Sequence, residues 1–288
     1  MIELRAGRIA NKFTLLLLLG ALLLVGCGRR PAEPVVENSI PAEEKVDPEP
    51  TPPPAPPDYL AEGKAFLQSG DNDKALEYFN KAIEADPKDA RRYVYRAEAY
   101  KQKRLPGKAI NDLNEAIRLD PKDPEPYAQR GYAYATVGML KQAIADFTEA
   151  VRLSPEGAPG MHSLINRGFA YEQLGEIGKA LADYNEVRRI DPKNVIALEH
   201  RAGIFLRQSK LKEALADLDE AVAMQPGIAE VRCNRGIVYE KLGQLDKAIE
   251  DYNEAIRLDP KFKPAYADRT RATKKKAQLA EPRPGAQP

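Results

Sequence analysis

The sequence has only two cysteines, two histidines and no tryptophan among its 288 residues. So few thiols and imidazoles exclude a Cys/His metal site and a disulfide framework. The phosphate-binding patterns G-x-G-x-x-G and G-x-x-x-x-G-K-[ST] are also absent. Basic and acidic residues nearly cancel, 44 against 43, so no overall field attracts nucleic acid. The sequence therefore predicts no metal, no cofactor and no nucleic-acid partner.

The sequence also shows no set of residues typical of a catalytic site. The two histidines, His162 and His200, fall in different sequence units, and Cys233 has no histidine at a fixed spacing. No serine or cysteine stands beside a plausible base. We therefore expect no catalytic residues and a protein that is not an enzyme.

The N-terminus is typical of a secreted protein. Arg5, Arg8 and Lys12 precede the apolar run FTLLLLLGALLLV, which is too short to span a membrane comfortably. The residues LVGC at 24–27 resemble the lipobox of bacterial lipoproteins, in which the cysteine is diacylated (the palmitate-type anchor) and becomes the first mature residue. The resemblance implies a signal peptide over 1–26, lipidation of Cys27 and a membrane anchor. An ordinary signal peptide with a chance cysteine is the alternative.

A lipoprotein signal also implies a location. The residue after Cys27 is Gly28 rather than the aspartate that commonly marks inner-membrane retention in Gram-negative lipoproteins. We expect a lipid-anchored protein of the cell envelope, on the outer membrane and facing the periplasm in a Gram-negative cell. In a Gram-positive cell the same anchor places it on the outer face of the single membrane.

Residues 27–57 are rich in proline and acid, as in PEPTPPPAPP, and poor in large apolar residues. Such a segment cannot bury enough surface to offset its ordering entropy. We predict a disordered, semi-rigid tether that holds a domain away from the membrane, with a proline-motif ligand for a partner as the alternative.

The remainder of the chain repeats. A proline closes each of six copies, at spacings of 34, 34, 37, 34 and 34 residues: Pro87, Pro121, Pro155, Pro192, Pro226 and Pro260. Counting that proline as position 32, position 8 is small, position 11 is aromatic, position 20 is always alanine and position 24 is large and apolar. The apolar residues fall at helical spacing in two segments per copy. A fixed period of this length predicts stacked helical hairpins.

This pattern resembles the tetratricopeptide repeat (TPR) family, in six copies. The resemblance implies an all-α fold, an α-solenoid wound as a right-handed superhelix over residues 58–262. We expect a capping helix over 263–279, because end units need a polar outer face, and a disordered tail over 280–288. Glycine at position 15 in four copies predicts the end of the first helix. The segment EGAPG at 156–160 accounts for the 37-residue spacing and predicts a longer loop.

Position 7 is arginine and position 23 is aspartate in copies two to six, whereas copy one has neither. Their joint presence predicts a structural ion pair between the two helices of each unit rather than a stripe of ligand-binding arginines. We expect such pairs to be solvent-exposed and worth about 0–1 kcal/mol each.

The family resemblance also implies a binding surface, because its first helices line a concave groove. Polar side chains at position 6 predict a ladder for an extended peptide backbone, and neighbouring aromatic side chains predict apolar contact area. The predicted partner-binding residues are Tyr95, Gln129, Tyr132, His162, Asn166, Phe169, His200, Asn234 and Ile237. Cys233, at position 5, is expected in the same groove. Position 5 offers no lysine, which argues against the carboxylate-clamp type of the family.

The sequence thus favours a membrane-anchored scaffold or adaptor that binds a protein or peptide partner in its groove. A pilotin-like factor that helps a secretin or pilus complex assemble is an alternative, and so is a structural spacer or self-associating array. The repeat has the generic residues of its family, so it does not distinguish these alternatives. It also leaves the oligomeric state open.

Overall fold

The computed structural model describes residues 57–280. The signal peptide, Cys27, the proline-rich tether up to residue 56 and the tail from residue 281 lie outside the described residues, so the predictions made for them stay predictions.

All regular secondary structure in residues 57–280 is helical. The helices occur as six consecutive pairs followed by a single long helix: α1 Tyr59–Ser69, α2 Asn72–Ala85, α3 Ala90–Gln102, α4 Pro106–Leu119, α5 Pro124–Thr136, α6 Leu140–Leu153, α7 Ala158–Gln173, α8 Ile177–Ile190, α9 Val195–Arg207, α10 Leu211–Met224, α11 Ala229–Lys241, α12 Leu245–Leu258 and α13 Lys263–Ala280. Each helix packs against the next along the chain. This serial packing confirms the predicted all-α solenoid.

The recurring sequence Asp-Pro ends the second helix of a unit and turns the chain into the next unit. In α4, for example, the C-cap residue Asp120 is extended, and its carboxylate accepts a hydrogen bond from the amide of Lys122 over 3.1 Å. The following proline has no amide hydrogen and cannot continue a helix. Asp191 forms the same turn with Lys193. The residues that stabilise this turn therefore belong to the repeated sequence.

Small residues let the two helices of a unit come close together. Ala180 and Ala214, both at position 20, are completely buried. At position 8, a Cβ atom on Gly168 would lie 2.8 Å from the ring of Tyr184. Units with leucine at position 24 carry alanine at position 8 instead, as in Ala202 and Leu218. The size at position 8 therefore matches the ring or branched chain that it contacts.

The first helix of each unit ends in a left-handed residue at position 15. Gly70 and Gly138 have φ of 82° and 78° there, as predicted from the recurring glycine. Two units lack the glycine and place Arg104 and Ser209 at φ 59° and 58°. A side chain in this conformation is strained, because Cβ crowds the backbone.

The prediction of a longer loop at EGAPG was wrong. Helix α7 begins at Ala158 and has 16 residues, whereas α5 and α9 have 13, so the extra residues extend the helix. The extension needs Gly160, because a Cβ there would lie 1.7 Å from the Ser154 carbonyl oxygen. Helix α7 packs against α5 as well as α6.

The last helix, α13, packs against α12 and α11. Its Ala265 and Ala272 are completely buried, whereas Lys274, Lys275 and Lys276 are exposed. The helix ends at Ala280, one residue beyond the predicted end. One face thus covers the final hairpin and the other is polar, which is the arrangement expected of a solenoid end.

Candidate functional site

The arginines at position 7 are used within the fold. Arg167 on α7 donates from Nε and Nη2 to the two carboxylate oxygens of Asp183 on α8, over 2.9 and 2.7 Å. The same bidentate pair forms in copies two to six, as predicted. The guanidinium groups are therefore not free to line a ligand site.

Each of these arginines also joins neighbouring units. The remaining guanidinium nitrogen of Arg201 donates to Asn185 of the preceding unit over 2.8 Å. The aspartates are buried, with Asp217 only 4 % exposed. The expectation of solvent-exposed pairs was wrong, because the paired helices enclose the carboxylates. Removing one partner of such a pair costs more than breaking a surface pair.

The odd-numbered helices define the inner face of the solenoid. Helix α5 packs against α7, α7 against α9, α9 against α11 and α11 against α13, whereas no two even-numbered helices of residues 57–280 pack together to that extent. In a curved stack the elements that approach each other lie on the inside of the curve. The residues predicted for the groove lie on α3, α5, α7, α9 and α11, which belong to this set.

Two aromatic residues stand out on the inner face. Tyr132 of α5 and Phe169 of α7 occupy the same position of neighbouring units and are 44 % and 41 % exposed. The Nζ atom of Lys101 lies 5.7 Å from the centroid of the Tyr132 ring. Because α5 and α7 pack directly on each other, the two rings belong to one continuous surface. Exposed rings in a concave surface are typical anchors for a partner.

Tyr95 lies toward the N-terminal end of the same face and is more enclosed. Its ring stacks on Phe79 with a centroid distance of 6.1 Å. The Nζ of Lys64 is 4.7 Å from the centroid of the same ring. Tyr95 therefore packs within the first hairpins and presents less surface than Tyr132.

Two of the position-6 side chains make hydrogen bonds within the fold. The Gln129 amide donates to Glu125 over 2.7 Å, and the Asn234 amide donates to Glu199 over 3.0 Å. Asn166 is half-buried and its side chain makes no hydrogen bond within residues 57–280. Gln129 and Asn234 thus use one side-chain donor each within the fold, and the predicted ladder for a peptide backbone stays a prediction.

His200 belongs to a packed polar network. Its ring stacks on Tyr184 at 5.1 Å and meets Phe169 edge-on at 5.9 Å. Its Nδ1 lies 3.5 Å from Oε1 of Glu172, which also accepts the Tyr184 hydroxyl over 2.7 Å and an Arg207 guanidinium hydrogen bond. Burial alone raises the pKa of Glu172, but these three donors outweigh it and the pKa lies below its usual range.

Sequence reasoning did not predict this network, although the repeat contains its signal. Where position 24 is tyrosine, position 12 of the same unit is glutamate. The second case is Tyr252, which donates to Glu240 over 3.1 Å, with Arg271 of α13 donating to the same carboxylate. In the units with phenylalanine or leucine at position 24, position 12 is not glutamate.

The last two units place acids at the inner face. Glu199 accepts a hydrogen bond only from Asn234 within residues 57–280. Burial raises the pKa of the Glu199 carboxyl above its usual value; His200 and Asn234 lower it, and the nearby Glu230 raises it further. Glu199 and Glu230 make no ion pair with any basic residue in the described part of the chain.

Two further residues complete the inner face, and a third that was expected there does not belong to it. His162 is exposed near the start of α7, and Ile237 is partly buried against the core of the last unit. The expectation that Cys233 lies in the groove was wrong. The residue is 2 % exposed because α13 covers it, and its thiol donates to Asp268 over 3.5 Å. Burial raises the pKa of the thiol and keeps it protonated.

Four sequence models of the tetratricopeptide repeat match the chain, over residues 60–124, 124–156, 162–194 and 229–262. Together they cover more than half of its length. The chain belongs to the tetratricopeptide repeat family. A search of curated protein sequences gave no match.

Solved structures share the TPR fold. YrrB, described as a TPR protein with an unusual peptide-binding site, is 24% identical, with a TM-score of 0.53, and the match covers 68% of this chain and 100% of YrrB. PilW, described as a widely conserved type IV pilus biogenesis factor, is 18% identical, with a TM-score of 0.65 over 73% of this chain and 96% of PilW. PilF from Pseudomonas aeruginosa is 18% identical, with a TM-score of 0.64 over 74% and 96%.

In the part of the chain from residue 57 to residue 280, no helix has the length and apolar character needed to cross a bilayer. The same residues contain no group of three or more His, Cys, Asp or Glu side chains placed to hold a metal ion.

Proposed function

We propose that this TPR protein is a lipid-anchored adaptor of the bacterial cell envelope whose inner face binds an extended segment of another protein. The exposed pair Tyr132 and Phe169 carries the proposal. Both rings lie on the inner face of adjacent helices and are more than 40 % exposed. Large apolar side chains held open at neighbouring positions of a concave surface suit a partner that buries them.

The polar residues beside the two rings suit a peptide backbone. The Asn166 amide, on the same helix as Phe169, has both a donor and an acceptor without a partner in residues 57–280. Gln129 and Asn234 each use one donor within the fold and keep a carbonyl oxygen free. The similarity to YrrB, with its described peptide-binding site, supports this assignment at the level of the fold.

The anchor rests on the sequence LVGC at 24–27 and on the proline-rich segment that follows it. Acylation of Cys27 would hold the protein at the membrane, and the tether would let the solenoid reach partners away from it. At roughly 3.1 Å per residue in the polyproline conformation, residues 31–57 span about 80 Å when extended.

A pilotin-like role in assembling a secretin or pilus complex is the second candidate. The similarity to PilW and PilF favours it, because each match covers nearly the whole of that protein and most of the solenoid here. At 18% identity these similarities support a shared architecture, and the role itself is the proposal. It predicts that loss of this protein lowers the amount of assembled secretin or pilus in the envelope.

Photo-crosslinking in cells tests the adaptor proposal. A photoreactive amino acid replaces Asn166 in the full-length protein, and crosslinked products are compared with those of the Tyr132→Ala/Phe169→Ala variant. Val137→Ala/Leu174→Ala is the matched control, because these residues end the same two helices and are 46 % and 40 % exposed. We expect a discrete product that disappears in the first variant only. A product that persists in both variants contradicts the proposal.

Cell fractionation tests the anchor separately. The Cys27→Ser variant is expected to leave the membrane fraction and to lose incorporation of labelled palmitate. A Cys233→Ser variant is the control, because the Cys233 thiol is buried within the solenoid. Membrane retention of the Cys27→Ser protein would refute the lipid anchor without affecting the groove.

A further inference from the structure

The turns that join the two helices of a unit follow one another along one edge of the solenoid. In copies two to four these turns comprise residues 103–108, 137–141 and 174–179, which we call the turn edge. Large apolar side chains are exposed at the tips of all three turns, by 38–46 %: Leu105, Val137, Met139 and Leu174. A run of exposed apolar residues on consecutive units is typical of a surface that contacts another molecule.

An ion pair shows that neighbouring turns of this edge lie side by side. Lys103, at position 14, pairs with Asp73 at position 18 of the preceding unit, and the same pair recurs between the last unit and α13. Between these two ends, position 14 is apolar and exposed in Val137 and Leu174. The apolar side chains of the turn edge therefore form one patch across neighbouring turns.

Local structure does not account for the apolar residues at position 16. Leu105 and Met139 are the N-cap residues of α4 and α6, and neither makes a side-chain cap hydrogen bond. In copy one the same position is Asp71, which caps α2 by accepting the Lys74 amide over 3.2 Å. Because leucine and methionine are poor N-caps and these two are also exposed, neither helix formation nor core packing explains them. Such departures from local preference are expected at functional surfaces.

The charge of the turn edge is positive. Arg104, Lys108 and Lys141 are exposed, and none of them forms an ion pair within residues 57–280. Glu176 is the one acidic residue of the three turns, and it pairs with Lys179. Arg104 also has a left-handed backbone, at a position where four units have glycine. Cations therefore surround the apolar side chains without acidic residues to neutralise them.

We propose that the turn edge docks on a bilayer that contains anionic lipid. The apolar side chains enter the boundary between headgroups and acyl chains, and Arg104, Lys108 and Lys141 contact lipid phosphates. An apolar patch bordered by lysine and arginine is the arrangement that binds such a surface. Like charges oppose a second copy on the same edge, and a row of turn tips offers no cleft for a peptide.

The chain outside the described residues allows this docking. The inference rests on the proposed lipid anchor only to bring the solenoid to a bilayer. Residues 31–57 reach about 80 Å when extended, and they end at α1. A helix of 14 residues is about 21 Å long, so the turn edge lies well within that reach. Tethering favours docking even where each contact is weak, because it raises the effective concentration of the bilayer.

Docking by this edge leaves the inner face open and fixes its direction. Tyr132 lies five residues before Val137 on the same chain, so its ring is about 8 Å from the turn tips along α5. The helices then stand on the bilayer, and the groove runs parallel to it. The partner segment is held close to the membrane surface.

Quenching of a fluorophore by nitroxide-labelled lipid tests the inference. Full-length acylated protein with Cys233→Ser carries a single reactive cysteine, either Val137→Cys on the turn edge or Lys122→Cys in a turn at the opposite ends of the helices. Each protein is reconstituted into vesicles of phosphatidylcholine alone and of phosphatidylcholine with phosphatidylglycerol in equal parts. Circular dichroism checks the fold and melting of every variant.

Two variants remove the two parts of the surface separately. Leu105→Asp/Met139→Asp removes apolar side chains and supplies the cap that Asp71 provides in copy one, so its melting temperature should not fall. Arg104→Gln/Lys141→Gln removes charge from side chains that make no hydrogen bond or ion pair within residues 57–280. Lys88→Gln/Lys193→Gln is its matched control, with two exposed lysines in turns at the opposite ends of the helices.

We expect quenching at residue 137 and not at residue 122, in the vesicles with phosphatidylglycerol only. The aspartate variant should lose the quenching. The Arg104→Gln/Lys141→Gln variant should lower the ratio of docked to undocked protein about thirtyfold, the effect of two basic residues at an anionic surface, and the lysine control should leave it unchanged.

The failures are distinguishable. Protein that does not float with the vesicles would contradict the anchor. Protein that floats with equal quenching at both residues, with none at residue 137, or with the same quenching in neutral vesicles would overturn the docking and leave the anchor standing. Quenching retained in the aspartate variant would also overturn it. A label at residue 137 that is shielded in detergent would indicate a second copy, and one shielded in native membranes but not in vesicles would indicate a protein; either result would overturn the lipid surface.

Discussion

The hydroxyl of Tyr184 donates to the Glu172 carboxylate over 2.7 Å, on the side where His200 stacks against the same tyrosine ring at 5.1 Å. The bond joins α7 to α8, and Arg207 joins the same carboxylate to α9. A residue that the sequence placed in the groove, His200, is thus also part of the joint between two units.

Replacing Glu172 with glutamine is expected to destabilise the protein by about 1–3 kcal/mol at neutral pH, because three donors lose a charged acceptor. The pKa of Glu172 is lowered in the folded state, so its contribution is present above the unfolded pKa, about 4.3, and is lost as the pH falls through the folded value. The groups facing Glu172 are Tyr184, His200 and Arg207. Urea unfolding from pH 3 to 7 should show the two proteins converging at low pH. A constant difference across that range would contradict the network.

Replacing Glu199 with glutamine is expected to have the opposite effect and stabilise the protein by about 0.5–2 kcal/mol at pH 7. Its folded pKa is raised, with His200 on α9 and Glu230 and Asn234 on α11 facing it, so the charge costs stability above the folded pKa and nothing below the unfolded pKa. The gain should therefore appear as the pH rises from about 4.3. Thermal unfolding measures it, with Glu125→Gln as the control. A lower melting temperature at pH 7 would show that the charge is structural.

Replacing Asp217 with alanine is expected to cost about 2–4 kcal/mol, because the buried end of Arg201 loses both carboxylate oxygens. The Glu254→Ala change is the contrasting case. Glu254 pairs with Arg257 on the surface of α12, and we expect no measurable change in melting temperature. Denaturant unfolding compares the two. Equal effects would mean that the repeated Arg–Asp pair behaves as an ordinary surface pair.

Replacing Ser209 or Arg104 with glycine is expected to stabilise the protein by about 0.5–1 kcal/mol, because both residues have the left-handed conformation that glycine adopts without strain. Gln208→Gly is the matched control. Gln208 precedes Ser209, has φ of −83°, and should lose stability on the same change. Thermal unfolding distinguishes these outcomes, and stabilisation by Gln208→Gly would contradict the conformational explanation.

The sequence predicted the solenoid because its signals are local and repeated. Alanine at position 20 occurs in all six copies, and glycine at position 15 and the Asp-Pro turn occur in four copies each. Each of these residues fixes geometry within one unit, so the same packing is indicated repeatedly along the chain. The Arg–Asp pairs were predictable for the same reason. Arginine at position 7 and aspartate at position 23 occur together in five copies, as in Arg167 and Asp183, and both are missing from copy one. Their burial was not predictable, because it depends on how the two helices enclose the carboxylate.

The other errors arose where neighbouring units meet. A loop was expected at EGAPG because glycine and proline favour turns, but Pro159 lies in the first turn of α7, where a proline is tolerated. Cys233 was expected in the groove from its repeat position, yet the capping helix covers that position in the last unit. The Glu172 network links residues of three helices, and only a comparison of positions 12 and 24 across copies would have indicated it.

The central claim is that the inner face around Tyr132 and Phe169 binds an extended segment. Its most direct test uses the partner segment identified by crosslinking at residue 166. That segment is made as a synthetic peptide and titrated into the full-length protein, and the dissociation constant is measured. We predict that Tyr132→Ala/Phe169→Ala weakens binding at least about tenfold, because each anchor ring contributes roughly 1 kcal/mol or more, while Val137→Ala/Leu174→Ala leaves binding unchanged. Equal affinity for the native protein and the Tyr132→Ala/Phe169→Ala variant would contradict the account.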